Sequence, residues 1–406
     1  MTTACYDVAC AFGVAGARTS HIFCCHIRTG WTYRQAFMKI DRIELRLIRL
    51  PLVHFFETSF GRVYDQEFVL IRVDDGSQFG YGECVADRTP YYSSETTETE
   101  WHLLKDYLIP VVLGVEFTDP RDVFPAMKRV RGHNMAKAGL EMACWDLSAK
   151  IASVPLWQLL GGQGTEIASG VSVGIQDSLD QLVKKVETEL AAGYRRIKIK
   201  IKPGWDIEAV AAVRRHFGSI PLMVDANAAY TLADADHLAR LDEFDLMMIE
   251  QPLEYDDVRD HAHLQSRLRT PVCLDESIHT VGIAAEAIAA GACKIINIKP
   301  GRVGGLAESI RLHDLCAKQG IPVWHGGMLE SGIGRTHNIH LATLPNFKLP
   351  GDIAASARYF DPDLVDPPIT VRPDGTILVP QTPGIGVEVV EERLEKATKR
   401  KVVFTA

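Results

Sequence analysis

No uninterrupted apolar run in the chain reaches the roughly 18 residues of a membrane span, so none is expected. Basic residues are not in excess. Lys and Arg number 44 against 52 Asp and Glu, and the formal net charge of −8 argues against a nucleic-acid footprint. There is no Cys-x-x-Cys pair. Of 9 cysteines, Cys5, Cys10, Cys24 and Cys25 crowd the first 25 positions. The other five are scattered through apolar runs and read as small buried hydrophobes in a reducing cytoplasm. Low-complexity segments are absent, and Gly304-Gly305 is too short a glycine stretch to suggest a phosphate loop. What remains is an ordinary globular profile, 47% hydrophobic over 406 residues, long enough for one barrel and a smaller domain.

What is there is a period. Asp225, Glu250 and Asp275 stand 25 residues apart; Lys200 lies 25 before the first and Lys299 lies 24 after the last. A strand, a loop, a helix and a return loop occupy about this length in a parallel (β/α) barrel, whose strands all point their C-terminal ends at one mouth. Each residue closes a short apolar run: Ile-Lys-Ile-Lys200, Leu-Met-Val-Asp225, Met-Met-Ile-Glu250, Val-Cys-Leu-Asp275 and Ile-Asn-Ile-Lys299. Helical patterns lie between them, as in Asp206-Ile-Glu-Ala-Val-Ala-Ala-Val. The spacing therefore predicts one site, three carboxylates flanked by two amines, on a modified (β/α)8, TIM-like barrel.

The rest of the chain frames that barrel. Residues 1–37 lack periodicity and have no charged start followed by an apolar core, so they make a poor signal peptide and read as a leader from an upstream start codon, or as a cysteine-bearing arm. Residues 38–165 read as an N-terminal α+β capping domain. Ile43, Leu45 and Leu47 alternate with charges, Asp75-Gly76 marks a hairpin, Ser93-Ser94 suggests an N-cap, and Ala138, Met142, Trp145 and Ala149 fall at helical spacing. The barrel is expected over 166–360, and 361–406, with a hairpin-like stretch at Val371–Leu378, is expected to return to the cap.

Three carboxylates at one mouth repel unless a cation neutralises them. With no His or Cys beside them, Mg²⁺ or Mn²⁺ suits the set better than zinc, and leaves a charge of about −1. A lysine acts as a base only when neutral. Lys198 leaves the same strand face as Lys200, and its charge favours the neutral amine there. The implied reaction is removal of a proton α to a carboxylate through an enediolate. Lys198 and Lys202 could also be solvated strand residues, but a face turned into a barrel makes lysine costly without a purpose. His325 reads as a hydrogen-bonded structural histidine or a base, and Gly326-Gly327 as a close backbone approach to a carboxylate or a turn.

Lys198-x-Lys200, Val224-Asp-Ala-Asn227, Ile249-Glu-Gln-Pro252, Leu274-Asp-Glu-Ser277 and Asn297-x-Lys299-Pro-Gly-Arg-Val-Gly-Gly305 resemble the enolase superfamily, muconate-lactonizing subgroup, over about 38–390. His325-Gly-Gly-Met-Leu-Glu-Ser331 and Pro350-Gly-Asp-Ile-Ala-Ala-Ser-Ala-Arg-Tyr-Phe360 narrow the resemblance to the o-succinylbenzoate synthase and N-succinylamino acid racemase family. That resemblance implies Mg²⁺, with Mn²⁺ able to substitute, on Asp225, Glu250 and Asp275. Lys200 and Lys299 would face each other across a small-molecule carboxylate, with Lys198 beside them. Asn227, Glu276, Arg302, Gly327, Met328 and Ser331 would touch substrate or support the ligands. It implies dehydration of 2-succinyl-6-hydroxy-2,4-cyclohexadiene-1-carboxylate to o-succinylbenzoate in menaquinone biosynthesis, racemisation of N-succinyl- or other N-acylamino acids, or both. It further implies a cytoplasmic homo-oligomer. Mandelate-racemase-like members would carry Asp in place of Lys299, and dipeptide epimerases Asp-x-Asp where this chain has Asp352-Ile-Ala354. An inactive scaffold would not need all three acids and both lysines.

Overall fold

A computed structural model describes residues 37–406. The expected leader thus lies, apart from Phe37, outside the described residues.

The cap is built on a long hairpin, β1 (Arg42–Thr58) and β2 (Gly61–Asp74), followed by β3 (Phe79–Cys84). The β1–β2 register runs from Arg42 opposite Asp74 to Thr58 opposite Gly61 and breaks between Pro51 and Phe56. Proline cannot donate to the ladder, so an irregularity is where it fits. Asp75 makes the expected turn into β3, its Oδ1 accepting from the backbone N–H groups of Ser77 and Gln78. The cap helices include α1 (Thr97–Leu103) and α2 (Asn134–Ile151). The N-cap of α1 is Thr96, in a reciprocal capping box with Thr99, and not Ser93-Ser94. A threonine three residues ahead of a second hydroxyl satisfies two orphan N–H groups at once, which the serines do not.

Seven parallel strands follow in sequential order: β4 (Val171–Val173), β5 (Ile197–Lys200), β6 (Leu222–Asp225), β7 (Ile249–Glu250), β8 (Val272–Leu274), β9 (Ile295–Ile298) and β10 (Val323–His325). The eighth place holds no regular strand. Phe347 bridges to Val323 and Gly351 to Ser169, both parallel, so residues 347–351 close the ring. Helices α3 (Leu179–Ala191), α4 (Ile207–Phe217), α5 (Arg259–Arg267), α6 (Val281–Ala289), α7 (Leu306–Gln319) and α8 (Gly332–Leu341) follow the strands in turn, save that β6 and β7 are joined by short helical turns over 232–244. Inside the ring, Met223, Met248, Cys273, Ile295 and Trp324 pack as an apolar floor.

Helix α9 (Glu391–Ala397) and strand β11 (Thr398–Thr405) end the chain, β11 pairing antiparallel with β1. They change the reading of β1. Glu44 and Arg46, the charges that alternate with Ile43, Leu45 and Leu47, are buried, with Arg46 bonding Glu44 at 2.6 Å and Glu391 at 2.8 Å. The Val371–Leu378 stretch turns back on itself as expected, Gly375 N–H donating to Arg372 O and Arg372 N–H to Thr376 O, and its Thr376–Leu378 strand pairs outward with Glu166–Ala168.

Candidate active site

The strand period sets the site. Residues alternate inward along each strand, so Lys198 and Lys200 of β5, and Arg196 just before it, enter the ring in file. Asp225, Glu250, Asp275 and Lys299 stand at or one residue past the ends of β6, β7, β8 and β9. All are buried. Numbering the ring from β4, Lys200 occupies the second place and Lys299 the sixth, on opposite sides of eight.

The acids and amines interlock. Lys200 Nζ is 2.6 Å from Asp225 Oδ2 and donates to Asn227 Oδ1 at 2.6 Å. Lys198 Nζ lies 3.2 Å from Asp225, 3.0 Å from Glu250 and 3.0 Å from Asp352, with Trp324 beneath it. Lys299 Nζ is 2.7 Å from Asp275, which also pairs with Arg302. Asn297 donates to Glu250 at 2.6 Å, and Asn227 to Glu276 at 2.8 Å. The chain turns sharply after two of these strands: Asn227 and Gln251 have φ of 44° and 36°. Non-glycine residues are rare there and cluster at functional sites.

These neighbours set the ionisation. Burial opposes the charge on Asp225, but Lys200 and Lys198 outweigh it and hold the carboxyl well below its ordinary value. Burial pushes Glu250 up to about 8, helped by the charges of Asp225 and Asp275; Glu276 is pushed up to about 8 in the same way. Burial also opposes the charges on Lys198 and Lys299. Asp352 and Glu250 prevail at the first, Asp275 at the second, and both ammoniums are held above their ordinary range. The mutual repulsion expected of Lys198 and Lys200 is thus set against acids that keep Lys198 charged. His325 is buried against Phe347, away from the cavity lining and with no hydrogen-bond partner on either ring nitrogen among the described residues, and burial lowers it to about 3; it packs as an apolar ring and is not the hydrogen-bonded histidine expected.

The donor chemistry suits a hard divalent cation: three buried carboxylates on adjacent strand ends, one of them resisting ionisation beside its neighbours, and a buried Glu276 Oε2 without a hydrogen-bond partner. Their oxygens face ammoniums, and among the described residues no three His, Cys, Asp or Glu side chains are set around one point as metal ligands.

A cavity of about 390 Å³ opens above, lined by Lys198, Lys200, Asn227 and Lys299 and by Gly327 and Met328. The cap closes it with Phe56, Phe60, Tyr64 and Tyr92. Ser59 Oγ donates to Asn227 O at 3.1 Å, fixing the hairpin tip to the mouth. Ser331 does not line the cavity: it is buried, and its side chain caps α8. Gly326 and Gly327 have no room for a side chain: a Cβ on Gly326 would stand 2.5 Å from Lys299 Cε, and one on Gly327 2.6 Å from Asp352 O.

Two residues that sequence reasoning missed complete the network. Tyr92 reaches from the cap, its hydroxyl 3.1 Å from Asp275 and 3.0 Å from Lys299 Nζ. No period marks it. Asp352 bonds Lys198 and Ser172, the latter at 2.6 Å. It follows His325 by 27 residues, so the strand period, carried one place further, would have found it.

Comparison with known proteins agrees with this geometry. Residues 42–161 match the mandelate racemase and muconate lactonizing enzyme N-terminal domain, and residues 181–393 the enolase C-terminal domain-like family. The chain belongs to the enolase superfamily. An o-succinylbenzoate synthase of Geobacillus kaustophilus is 51% identical over 368 residues, 90% of this chain and 98% of that protein. An N-succinylamino acid racemase of an Amycolatopsis species is 49% identical, over 90% of this chain and 99% of its own. An enolase superfamily structure from Listeria innocua superposes with a TM-score of 0.87 at 38% identity, covering 91% of this chain and 99% of that one. The capped, modified barrel is thus the superfamily fold.

Proposed function

We propose that the chain is a Mg²⁺-dependent o-succinylbenzoate synthase. The observation that carries this reading is the pair of buried lysines, Lys200 and Lys299, reaching one cavity from opposite sides of the ring beside three carboxylates. Two relatives at 51% and 50% identity bear that name. Asp225, Glu250 and Asp275 would hold Mg²⁺, or Mn²⁺ in its place, and when bound the ion supplies Lewis-acid neutralisation of the substrate carboxylate.

Lys200 Nζ, once deprotonated, takes the proton α to the carboxylate of 2-succinyl-6-hydroxy-2,4-cyclohexadiene-1-carboxylate. The electron pair moves into the carboxylate as an enediolate. The Lys200 ammonium then returns its proton to the departing hydroxyl on the same face, so one C–H and one C–O bond break, water leaves, and the ring becomes aromatic. Lys299 stays an ammonium, held charged by Asp275, and offsets the negative charge that develops. Asn227 orients Lys200, and Arg302 supports Asp275.

The opposed lysines also favour a second reading, racemisation of N-succinylamino acids, with one lysine removing and the other delivering the α proton. Relatives of both names cover the chain to the same extent. With these readings go the division into a cap (38–165), barrel (166–360) and returning segment (361–406), a cytoplasmic location and a homo-oligomer. The test is conversion of the cyclohexadiene carboxylate to o-succinylbenzoate by purified protein with Mg²⁺, followed in the ultraviolet. Wild type should convert it and Lys200→Arg should not; no conversion by wild type would overturn the reading.

A further inference from the structure

Glu83, at the end of β3 in the cap, points away from the cap core and into the first turn of α8 in the barrel. Its Oε1 accepts from Ser331 N–H at 3.0 Å, and its Oε2 from the Ser331 hydroxyl at 2.5 Å and from Gly334 N–H at 3.1 Å. Glu83 is 2% exposed. A Cβ on Gly334 would sit 3.0 Å from Glu83 Oε2, so glycine leaves the carboxylate room to reach the amides. Tyr81 O, on the same strand, accepts from a ring nitrogen of His337 on α8 at 2.8 Å, so β3 holds the helix at two levels.

The segment just before α8 forms one wall of the substrate cavity. Gly327, Met328, Leu329 and Glu330 all line it. Its shape is not one the chain adopts unaided: Leu329 has φ of 59°, a left-handed conformation that a branched residue keeps only when its surroundings impose it. Glu330 braces the segment from within, accepting from Met328 N–H at 3.0 Å and from Asn338 at 2.8 Å. Glu83 braces it from the cap. Met328 packs against the cluster of Val85, Ala86, Tyr92 and Met135, the first three of which follow Glu83 in the same cap segment. Cap strand, helix start and cavity wall are therefore one mechanical unit.

We propose that Glu83 is a positioning residue that holds the 327–330 wall in its substrate-gripping shape by anchoring the start of α8 to the cap. It touches no cavity volume itself and acts through Ser331 and Gly334. Burial, helped by the charge of Glu330, pushes its carboxyl up to about 8, while the three donors favour the ionised form, in keeping with a group retained for its hydrogen bonds. The grip rests on the proposed carboxylate substrate; the anchoring does not. A second buried carboxylate provides the control. Glu141 of α2 accepts from Leu306 and Ala307 N–H at 2.8 and 2.9 Å and so anchors α7 as Glu83 anchors α8, but the turn before α7 does not line the cavity.

The test compares Glu83→Ala, Glu83→Gln and Glu141→Gln in the full chain with Mg²⁺. Hydrogen–deuterium exchange of the 327–334 amides, measured without substrate, should quicken about tenfold in Glu83→Ala and less in Glu83→Gln, whose remaining carbonyl oxygen still accepts. With the cyclohexadiene carboxylate, KM should rise about tenfold in Glu83→Ala with kcat within about threefold, and Glu83→Gln should recover part of the loss. Glu141→Gln should leave KM unchanged. Should Glu83→Ala fail to fold, the isosteric Glu83→Gln carries both readouts. Unchanged 327–334 exchange, or an equal rise in KM from Glu141→Gln, overturns the proposal. Should wild type not turn the substrate over, the functional reading fails, and the exchange result alone still decides the anchoring.

Discussion

Glu141→Gln should change how stability depends on pH, in a direction set by the burial of Glu141. Glu141 is fully buried on α2, where Trp145, Leu306 and Ala307 donate to it. Burial pushes its carboxyl from 4.5 up to about 7. At about 1.4 kcal/mol for each tenfold change in proton affinity, that displacement is worth about 3 kcal/mol. The sign follows from proton binding. Between pH 4.5 and 7 the folded protein holds a proton that the unfolded chain has released, so its stability falls as pH rises. The contribution is whole below 4.5 and gone above about 7. Glutamine cannot titrate, so the variant should lack this slope. Urea unfolding of wild type and variant in steps from pH 4.5 to 8 gives the difference, which should move by about 3 kcal/mol in the variant's favour. Parallel curves would refute the reasoning. A wild type that gains on the variant as pH rises would show that the three donors outweigh burial.

Tyr92→Phe removes the hydroxyl shared by Lys299 and Asp275; kcat should fall about tenfold with little change in melting temperature, measured on the same preparation. Glu250→Gln should keep the fold, by circular dichroism, while raising the Mg²⁺ concentration that gives half-maximal activity; EDTA should abolish wild-type activity and Mg²⁺ or Mn²⁺ restore it. Gly326→Ala would press a methyl against Asn297 and Lys299, so kcat should fall by about a hundredfold or more in steady-state assays.

The parts of the fold that local chemistry encodes could be read from the sequence. Strand ends capped by Lys200, Asp225, Glu250, Asp275 and Lys299 recur because each βα unit has a similar length, and α2 contains the whole apolar spacing from Ala138 to Ala149. Properties that depend on how distant segments dock could not be read. Glu44 and Arg46 alternate with apolar residues like any solvated face, yet α9 covers them from 345 positions away in sequence. Tyr92 sits in a loop with no period and gains its role only when the cap closes on the ring. Glu83 and Glu141 look like surface acids until helices from the barrel bring their first amides to them. Asp352 was within reach of the period but followed an irregular eighth element, which hides the strand that would mark it.

The central claim, one lysine on each face of the substrate, is tested most directly by α-proton exchange in deuterated water. Each enantiomer of an N-succinylamino acid is incubated with Mg²⁺ and Lys299→Arg or Lys200→Arg, and exchange is followed by NMR. Arginine keeps the charge but, with a pKa above about 12, cannot serve as a base. Lys299→Arg should exchange one enantiomer alone, the one whose proton faces Lys200, and Lys200→Arg should lose exchange of that enantiomer. Equal exchange of both enantiomers by Lys299→Arg, or exchange of the Lys200-facing enantiomer surviving in Lys200→Arg, would contradict the account.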